Sequence, residues 1–356
     1  MKITRLQVDT VKVPMAPHRT ASGVVSVSPL VLLTLHTDTA VTGQAIAFTY
    51  TDAALKPTAE LVHNLEALVA GQALAPQTVS DTLHARFRLL GTQGIVGMAL
   101  ATVDVALWDA AARAAGLPLC RMLGAQPRPL AAYGGIGFDG VEGSARAAEA
   151  WARQGLAGVK AKIGYPTIEE DVAVVRAIRE AVGPQVAVMV DYNQSLSPTE
   201  AQWRLQVLDA EGLAWIEEPV ASHDFAALAR LAQCTATPLQ AGENWWGPPD
   251  FRAALDAGVR DHLMPDAMKV GGVTGWMRVA AMAQAYGVPV SSHLWPETSA
   301  HLLIASPTAL WLEYADWWNP VLREPLRLER GQALIDPEAP GGGIDFDPAA
   351  VDRFRA

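Results

Sequence analysis

The chain has 356 residues, half of them apolar and only 18% charged, so it can bury a large core and is not a disordered segment. That length suits a barrel with an accessory domain better than one small domain. The net charge of −10 comes without a basic run, which argues against nucleic acid as a partner.

The N-terminus, MKITRLQVDTVKVP, alternates like a strand and lacks the continuous apolar stretch of a signal peptide. No run of about 18 apolar residues free of charge follows, so no membrane span is expected. Two cysteines, Cys120 and Cys234, make neither a spaced metal motif nor a disulfide scaffold, and a reduced cytoplasmic compartment is expected. Over residues 1–50 the strands ITRLQVDTVKV and PLVLLTLHT flank MAPHRTASGVVSVS, whose small and polar residues predict a mobile loop. Residues 54–125 read as helices; GMALATVDVALWDAAARAAG has apolar spacing of three and four and is ended by Gly116 and Pro118. Residues 1–125 thus form an α+β unit without barrel periodicity.

From about residue 130 a repeat begins. Eight segments read as strands: LAAYGG, GVKAKIG, VAVMVDYNQ, LAWIEEP, PLQAGEN, HLMPDAMK, VPVSSH and WLEYAD. The stretches between them read as helices. TIEEDVAVVRAIREAVG places Val172, Val175, Ile178 and Val182 on one face. In SPTEAQWRLQVLDAEG, Ser197 is the cap, Pro198 opens the first turn and Glu200 stands three residues on. Strand and helix alternating over residues 126–320 predict an α/β fold of the TIM (β/α) barrel type. After Asp316 the pattern lapses, and a Pro/Gly-rich tail over residues 321–356 is expected to pack back on the N-terminal unit.

Three carboxylates close three successive strands at a fixed interval of 26 residues: Asp191, Glu217 and Glu243. Catalytic groups of such barrels sit where the strands end, so the three acids point into one mouth. Unpaired they would repel each other, and a hard divalent cation is their natural occupant. Lys160 and Lys162 lie two apart on one strand and face the same side. Each would lower the other's pKa, and a lysine so lowered can act as a base near neutral pH. Asp191 and Asn193 share that spacing, so one can bind metal while the other donates a hydrogen bond. His293 ends VPVSSH and Asp266 ends the strand before it. Contact with that carboxylate would fix the imidazole tautomer and make His293 a base. Glu313, if buried, would have a raised pKa and could donate as a neutral acid; it could also merely salt-bridge Lys160 or Lys162. Bases on the second and seventh strands would oppose each other across the mouth. That arrangement suits removal of the proton beside a carboxylate, with the cation, an ammonium and a hydrogen-bond donor stabilising a doubly charged enediolate.

These residues resemble the enolase superfamily, and within it the mandelate racemase subgroup. VKAKIGYP, VDYNQS, WIEEP, GENWWGP, MPDAMKVGGVTGW and SSHLWPETSAHLL all look like segments of that subgroup, in the same order over residues 157–316. SPLVLLTL and ATVDVALWDA are similar more loosely. The resemblance implies a modified TIM barrel under an N-terminal α+β capping domain, with one Mg²⁺ held by Asp191, Glu217 and Glu243. It implies Lys162 as one base and His293, paired with Asp266, as the other. Lys160 would neutralise the substrate carboxylate, Glu313 would hydrogen-bond it, and Asn193 would serve the 2-hydroxyl region. Ser22, Val25, Tyr50 and Leu294 are the further positions expected at the substrate, beneath a loop near residues 16–28 that closes over it. Here that loop carries His18, Arg19, Ser22 and Ser26, and Gly134 and Gly135 follow the first strand, a more polar setting than the namesake offers a phenyl ring.

The reading that follows is Mg²⁺-dependent α-proton abstraction from a small-molecule hydroxy acid, first as racemisation or epimerisation, and as an alternative the dehydration of an acid sugar at the same site. A catalytically silent ligand-binding barrel is the rival of another class, set against costly buried charges that such a barrel would not need. A zinc hydrolase lacks the histidine clusters it would use. Lys269 is expected in a structural role, and Trp245, Trp246, Trp295, Trp317 and Trp318 fall where they could wall a pocket. Relatives of this fold form symmetric oligomers, so a homo-oligomer is expected.

Overall fold

A computed structural model describes residues 1–20 and 23–356; Ser22, expected at the substrate, lies outside the described residues. The chain opens with a long antiparallel ribbon, β1 (Ile3–Thr20) and β2 (Gly23–Thr37), which β3 (Thr42–Phe48) completes in the order β1-β2-β3. The expected loop is therefore largely strand. Val24 and Val25 pair across the ribbon with Arg19 and His18, and Val27 with Pro14; β-branched side chains favour that pleated state whatever the polarity of their neighbours. The register shifts between Pro14 and His18, an irregularity that bends the ribbon's outer end.

The helices α1 (Asp52–Asn64), α2 (Glu66–Val69), α3 (Pro76–Phe87), α4 (Gly94–Ala115) and α5 (Leu119–Met122) follow. Alanines let α4 lie close on β3: a Cβ at Gly43 would stand 2.0 Å from the Ala106 carbonyl oxygen. Gly116 ends α4 in the left-handed conformation, as the sequence predicts. By length and composition α4 alone among the described helices is apolar enough to cross a membrane, but 83% of that stretch is buried inside the protein.

The barrel runs β4 (Leu130–Ile136), α6 (Gly140–Arg153), β5 (Gly158–Lys162), α7 (Ile168–Val182), β6 (Ala187–Asp191) and α8 (Pro198–Leu208). It continues with β7 (Ile216–Glu217), α9 (Phe225–Ala232), β8 (Leu239–Ala241), α10 (Gly247–Ala257), β9 (His262–Leu263), α11 (Gly272–Tyr286), α12 (Pro296–Ala305) and β10 (Leu312–Tyr314). Parallel pairing joins β4 through β9 in order, and β10 pairs with β4 to close the ring. The seventh stave, VPVSSH, makes only single bridges: Leu263 with Val290, Asp266 with His293, and Val290 with Ala309. Pro289 within it has no N–H to give a ladder. On α7 the fully buried stripe is Val174, Val175 and Ile178, and Val172 and Val182 are only half-buried. Ser197 caps α8 by accepting from the Glu200 N–H (3.2 Å).

The tail adds a hairpin, β11 (Arg327–Glu329) and β12 (Gln332–Leu334), and a last helix, α13 (Pro348–Phe354). β12 pairs antiparallel with β4 of the barrel. Farther on the tail touches the N-terminal unit: the Phe346 N–H donates to Gln44 Oε1 (3.1 Å), and Arg355 pairs with Asp9. Inside the barrel Tyr133, Met189 and Trp215 form a small apolar cluster of their own, a dry floor under a polar mouth.

Candidate active site

Most polar residues of this site stand at or just past the C-terminal end of a stave, with Lys160 and Glu313 one or two residues earlier on β5 and β10. Asp191 ends β6, Glu217 ends β7 and Glu243 lies two residues beyond β8. One oxygen from each lies within 4.8 Å of the others, and all three residues are buried. Glu217 Oε1 accepts from Lys160 Nζ (2.6 Å), and its Oε2 from Trp215 Nε1 (3.2 Å) and Gln240 Nε2 (3.1 Å). Burial pushes Glu217 well above the ordinary carboxylate range; Lys160 opposes this, and Asp191 and Glu243 add to it. Glu243 Oε2 is buried and accepts no hydrogen bond. An orphaned oxygen beside two crowded carboxylates is a hard, all-oxygen donor set, which fits Mg²⁺. These are the residues that would hold it.

Lys160 and Lys162 share β5, as their spacing requires. Lys160 is sandwiched between Glu217 and Glu313 (2.9 Å) and is 2% exposed. Lys162 pairs with Asp191. Lys160 does lower Lys162, but the net lowering of the lysine pKa values that the spacing suggests is not reached. Burial alone would lower Lys162, but the carboxylates, Asp191 foremost, outweigh both that and Lys160 and hold it above the ordinary lysine value. Lys160 is raised well above it by Glu217 and Glu313 against the same burial. Glu313 also departs from expectation. Burial raises its pKa, but Lys160 and His293 more than compensate, so it is an ionised partner rather than a neutral acid.

His293 Nδ1 meets Asp266 Oδ2 at 2.6 Å, and its Nε2 lies 3.3 Å from Glu243 Oε2. Burial would lower the imidazole pKa; Glu243, Asp266 and Glu313 raise it above the ordinary value. Asp266 accepts five hydrogen bonds. Oδ1 takes the N–H groups of Met268 (2.8 Å) and Lys269 (3.0 Å), and Oδ2 takes His293, Trp295 Nε1 (2.9 Å) and the Tyr50 hydroxyl (3.4 Å).

One small cavity of ≈ 50 Å³ gathers Lys160, Lys162, His293, Leu294 and Glu313 under His18, Trp151 and Trp317. His18 comes from β1, its ring 5.3 Å from that of Trp317. Burial, then Lys162, lowers its pKa to about 4, so it is a neutral donor and acceptor at pH 7. The ribbon is fastened there by the Arg19–Asp139 pair (3.0 Å) and by the Phe138 N–H donating to the Arg19 carbonyl (2.8 Å).

Three expected substrate contacts stand off this cavity. Asn193 is not on the strand: β6 stops at Asp191, and Asn193, at φ 44°, folds back so that its backbone N–H (2.7 Å) and Nδ2 (3.0 Å) both donate to Asp191. Val25 lies on β2 opposite His18, and Tyr50 reaches Asp266. Trp151 and the Trp295 contact are absent from the sequence reading; a tryptophan inside a helix, as Trp151 is in α6, gives no sign that it fills space left by Gly134. Lys269 Nζ donates to Asn244 Oδ1 (2.8 Å), whose Nδ2 donates to Glu218 Oε2 (2.8 Å), a chain behind the carboxylates.

Comparison with known proteins agrees with this geometry. Residues 3–124 match the mandelate racemase/muconate lactonizing enzyme N-terminal domain family, and residues 143–350 the enolase C-terminal domain-like family. L-talarate/galactarate dehydratase of Salmonella typhimurium is 32% identical over 69% of the chain and 63% of its own length. D-galactarolactone cycloisomerase of Agrobacterium fabrum is 30% identical over 84% of the chain and 85% of its own. A Bradyrhizobium enolase crystallised with magnesium and mandelic acid is 41% identical, covers 100% of the chain and 98% of itself, and superposes with a TM-score of 0.95. The chain belongs to the enolase superfamily and is mandelate racemase-like.

Proposed function

We propose that this member of the superfamily abstracts the α-proton of a 2-hydroxy carboxylate and returns it from the other side, as a racemase or epimerase. The observation that carries the reading is that Lys162 and His293, from the second and seventh staves, line one cavity beside three carboxylates that fit a cation. Mandelic acid and magnesium in a 41% identical relative support it. A divalent cation on Asp191, Glu217 and Glu243 would offset negative charge growing on the substrate carboxylate. Lys162 and His293 then act on opposite faces of the α-carbon. Lys162 acts here as the neutral amine, a form that a cation on Asp191 would favour by drawing that carboxylate away from its ammonium; when it takes the proton, the C–H electron pair enters the enediolate and His293, as imidazolium, protonates the far face. The reverse sequence converts the other enantiomer. Lys160, held between Glu217 and Glu313, places a fixed positive charge at the carboxylate end of the cavity.

Dehydration of an acid sugar is the second reading. His18 in the cavity supports it, as does the match to a galactarate dehydratase. There one base forms the enediolate and the His293 imidazolium protonates the departing β-hydroxyl. We assign residues 1–125 to the cap, 126–320 to the barrel and 321–356 to the tail. We further infer a homo-oligomer, which Leu89 (97% exposed) and Leu90 (72%) on the turn after α3 support as an apolar contact. A reduced cytoplasmic setting suits the unpaired Cys120 and Cys234.

The test is exchange in heavy water with Mg²⁺. Deuterium should enter at the α-carbon and stop with chelator. Lys162→Ala and His293→Asn should each abolish exchange from one enantiomer only; equal loss for both hands would refute the two-base assignment. Formation of an α-keto acid product instead would select the dehydratase.

A further inference from the structure

The residues just after His293 are strained. Leu294 (φ 48°) and Trp295 (φ 53°) are consecutive non-glycine residues in the left-handed region. Each such residue is strained and persists only where its surroundings over-determine it. Here they do. The Leu294 N–H donates to Glu313 Oε2 (2.9 Å), and Ser299 Oγ donates to the Leu294 carbonyl (2.9 Å). The Ser299 N–H donates to the Trp295 carbonyl (2.7 Å). The Trp295 ring stacks on Trp318, centroids 5.3 Å apart at 25°, and Trp318 Nε1 donates to Glu297 Oε2 (2.9 Å). All this fixes an indole, 3% exposed, whose N–H ends 2.9 Å from Asp266 Oδ2.

That oxygen is the one that holds His293. Main-chain N–H groups clamp Oδ1, so without the indole Oδ2 would keep only the imidazole and the Tyr50 hydroxyl at 3.4 Å, a long contact that starts from the N-terminal unit. A carboxylate pinned at both oxygens cannot rotate, and the imidazole it orients keeps its Nε2 aimed at the cavity.

We propose that Trp295 is a positioning residue for proton transfer at His293, acting through Asp266 Oδ2. The inference rests on the two-base reading above. Packing alone would need the ring but not the N–H; the aligned donor, bought with two left-handed residues, is what packing leaves unexplained.

The experiment compares α-proton exchange of the two enantiomers of an accepted hydroxy acid in the full-length protein with Mg²⁺. The hand that depends on His293 is the one lost in His293→Asn. Trp295→Phe keeps an aromatic ring against Trp318 and removes the N–H. We expect the His293-dependent hand to slow by about 3- to 10-fold, the worth of one hydrogen bond, while the Lys162-dependent hand stays within about twofold. Trp276→Phe, which removes a buried indole N–H that donates to Ser306 Oγ (3.0 Å) and takes no part in this clamp, should leave the ratio of the two hands unchanged. If Trp295→Phe does not fold, a benzothiophene isostere of tryptophan at position 295 gives the same comparison with the bicyclic shape intact. Equal slowing of both hands, or no slowing of either, overturns the inference and leaves the two-base reading standing. Absence of exchange from both hands of every acid in the unsubstituted protein overturns the reading and this inference with it.

Discussion

Lowering the pH from 7 to 4 should charge His301, and the structure sets how much that costs. His301 lies in α12, 3% exposed, with Nδ1 accepting the Cys120 N–H at 3.3 Å. Burial lowers its pKa from 6.5 to about 4. The unfolded chain therefore takes up the proton first as pH falls. Stability from this group is complete above pH 6.5 and is lost on the way down to about 4. At about 1.4 kcal/mol per pH unit between the two pKa values, the loss is about 3 kcal/mol. Asp104 works the other way. Buried in α4 against Thr274, it is raised from 3.8 to about 6 by burial, with the Thr274 hydrogen bonds opposing. Its contribution is complete below pH 3.8 and is lost as pH rises through about 6, again about 3 kcal/mol. The two oppose each other, and His18 and the buried glutamates at the mouth add their own pH dependence, so differences between variants carry the test. Urea midpoints of the unsubstituted protein and His301→Gln, which keeps an acceptor for Cys120, should be furthest apart at pH 7 and converge by about 3 kcal/mol at pH 4. For Asp104→Asn the gap should run oppositely, widest at pH 4. A gap for His301→Gln that stays constant across this range would show that the imidazole is not held neutral, and the argument from burial would fail.

Mg²⁺ at about a hundred times its Kd should add about 2.7 kcal/mol of stability, seen as a rise in Tm that chelator reverses and that Asp191→Asn lacks. Gly137→Ala should loosen the cap over the site, because its Cβ would stand 2.9 Å from the Arg19 N and 3.0 Å from its carbonyl oxygen; KM should rise by about tenfold with kcat less affected, and steady-state kinetics decide. Arg204→Met should cost about 3 kcal/mol, at the low end for a broken buried pair, because Asp171, left charged and 0% exposed, still accepts from Tyr192 and two backbone N–H groups. Its measure is the urea midpoint.

The barrel and its acids are legible in the sequence because one repeat fixes both where a stave ends and which way its last residue points. That logic places Asp191, Glu217, Asp266 and His293 correctly even where β7 and β9 are two residues long. It fails for Asn193, because it assumes a strand that has already turned away. The ionisation of Lys162 and Glu313 is illegible for another reason. It depends on a sum over neighbours drawn from several staves, in which Asp191 outweighs Lys160 for Lys162, and Lys160 outweighs burial for Glu313. The cap is harder still. His18 enters the cavity from a ribbon whose register shifts four residues earlier, and composition alone says loop.

The neighbouring acids Glu217 and Glu218 give the sharpest separation of metal holding from mere acidity. Both are 0% exposed, and a count of charge alone would treat them alike. Around the mouth stand six carboxyl groups (Asp191, Glu217, Glu218, Glu243, Asp266 and Glu313) against Lys160, Lys162, Lys269 and, when protonated, His293; burial pushes Glu217 and Glu218 well above the ordinary carboxylate range, and only with all six ionised, as a divalent cation would favour, are two negative charges left for it to offset. Geometry breaks the tie. Glu217 offers an oxygen within 4.8 Å of Asp191 and Glu243, whereas Glu218, at φ 37°, turns to Asn244 and is no part of that cluster. Glu217→Gln should therefore abolish Mg²⁺ binding measured by calorimetry, and Glu218→Gln should weaken it by about tenfold through the lost field and the disturbed Asn244–Lys269 chain. Equal loss in the two variants would mean that the mouth attracts Mg²⁺ by charge alone, and the three-carboxylate site would have to be given up.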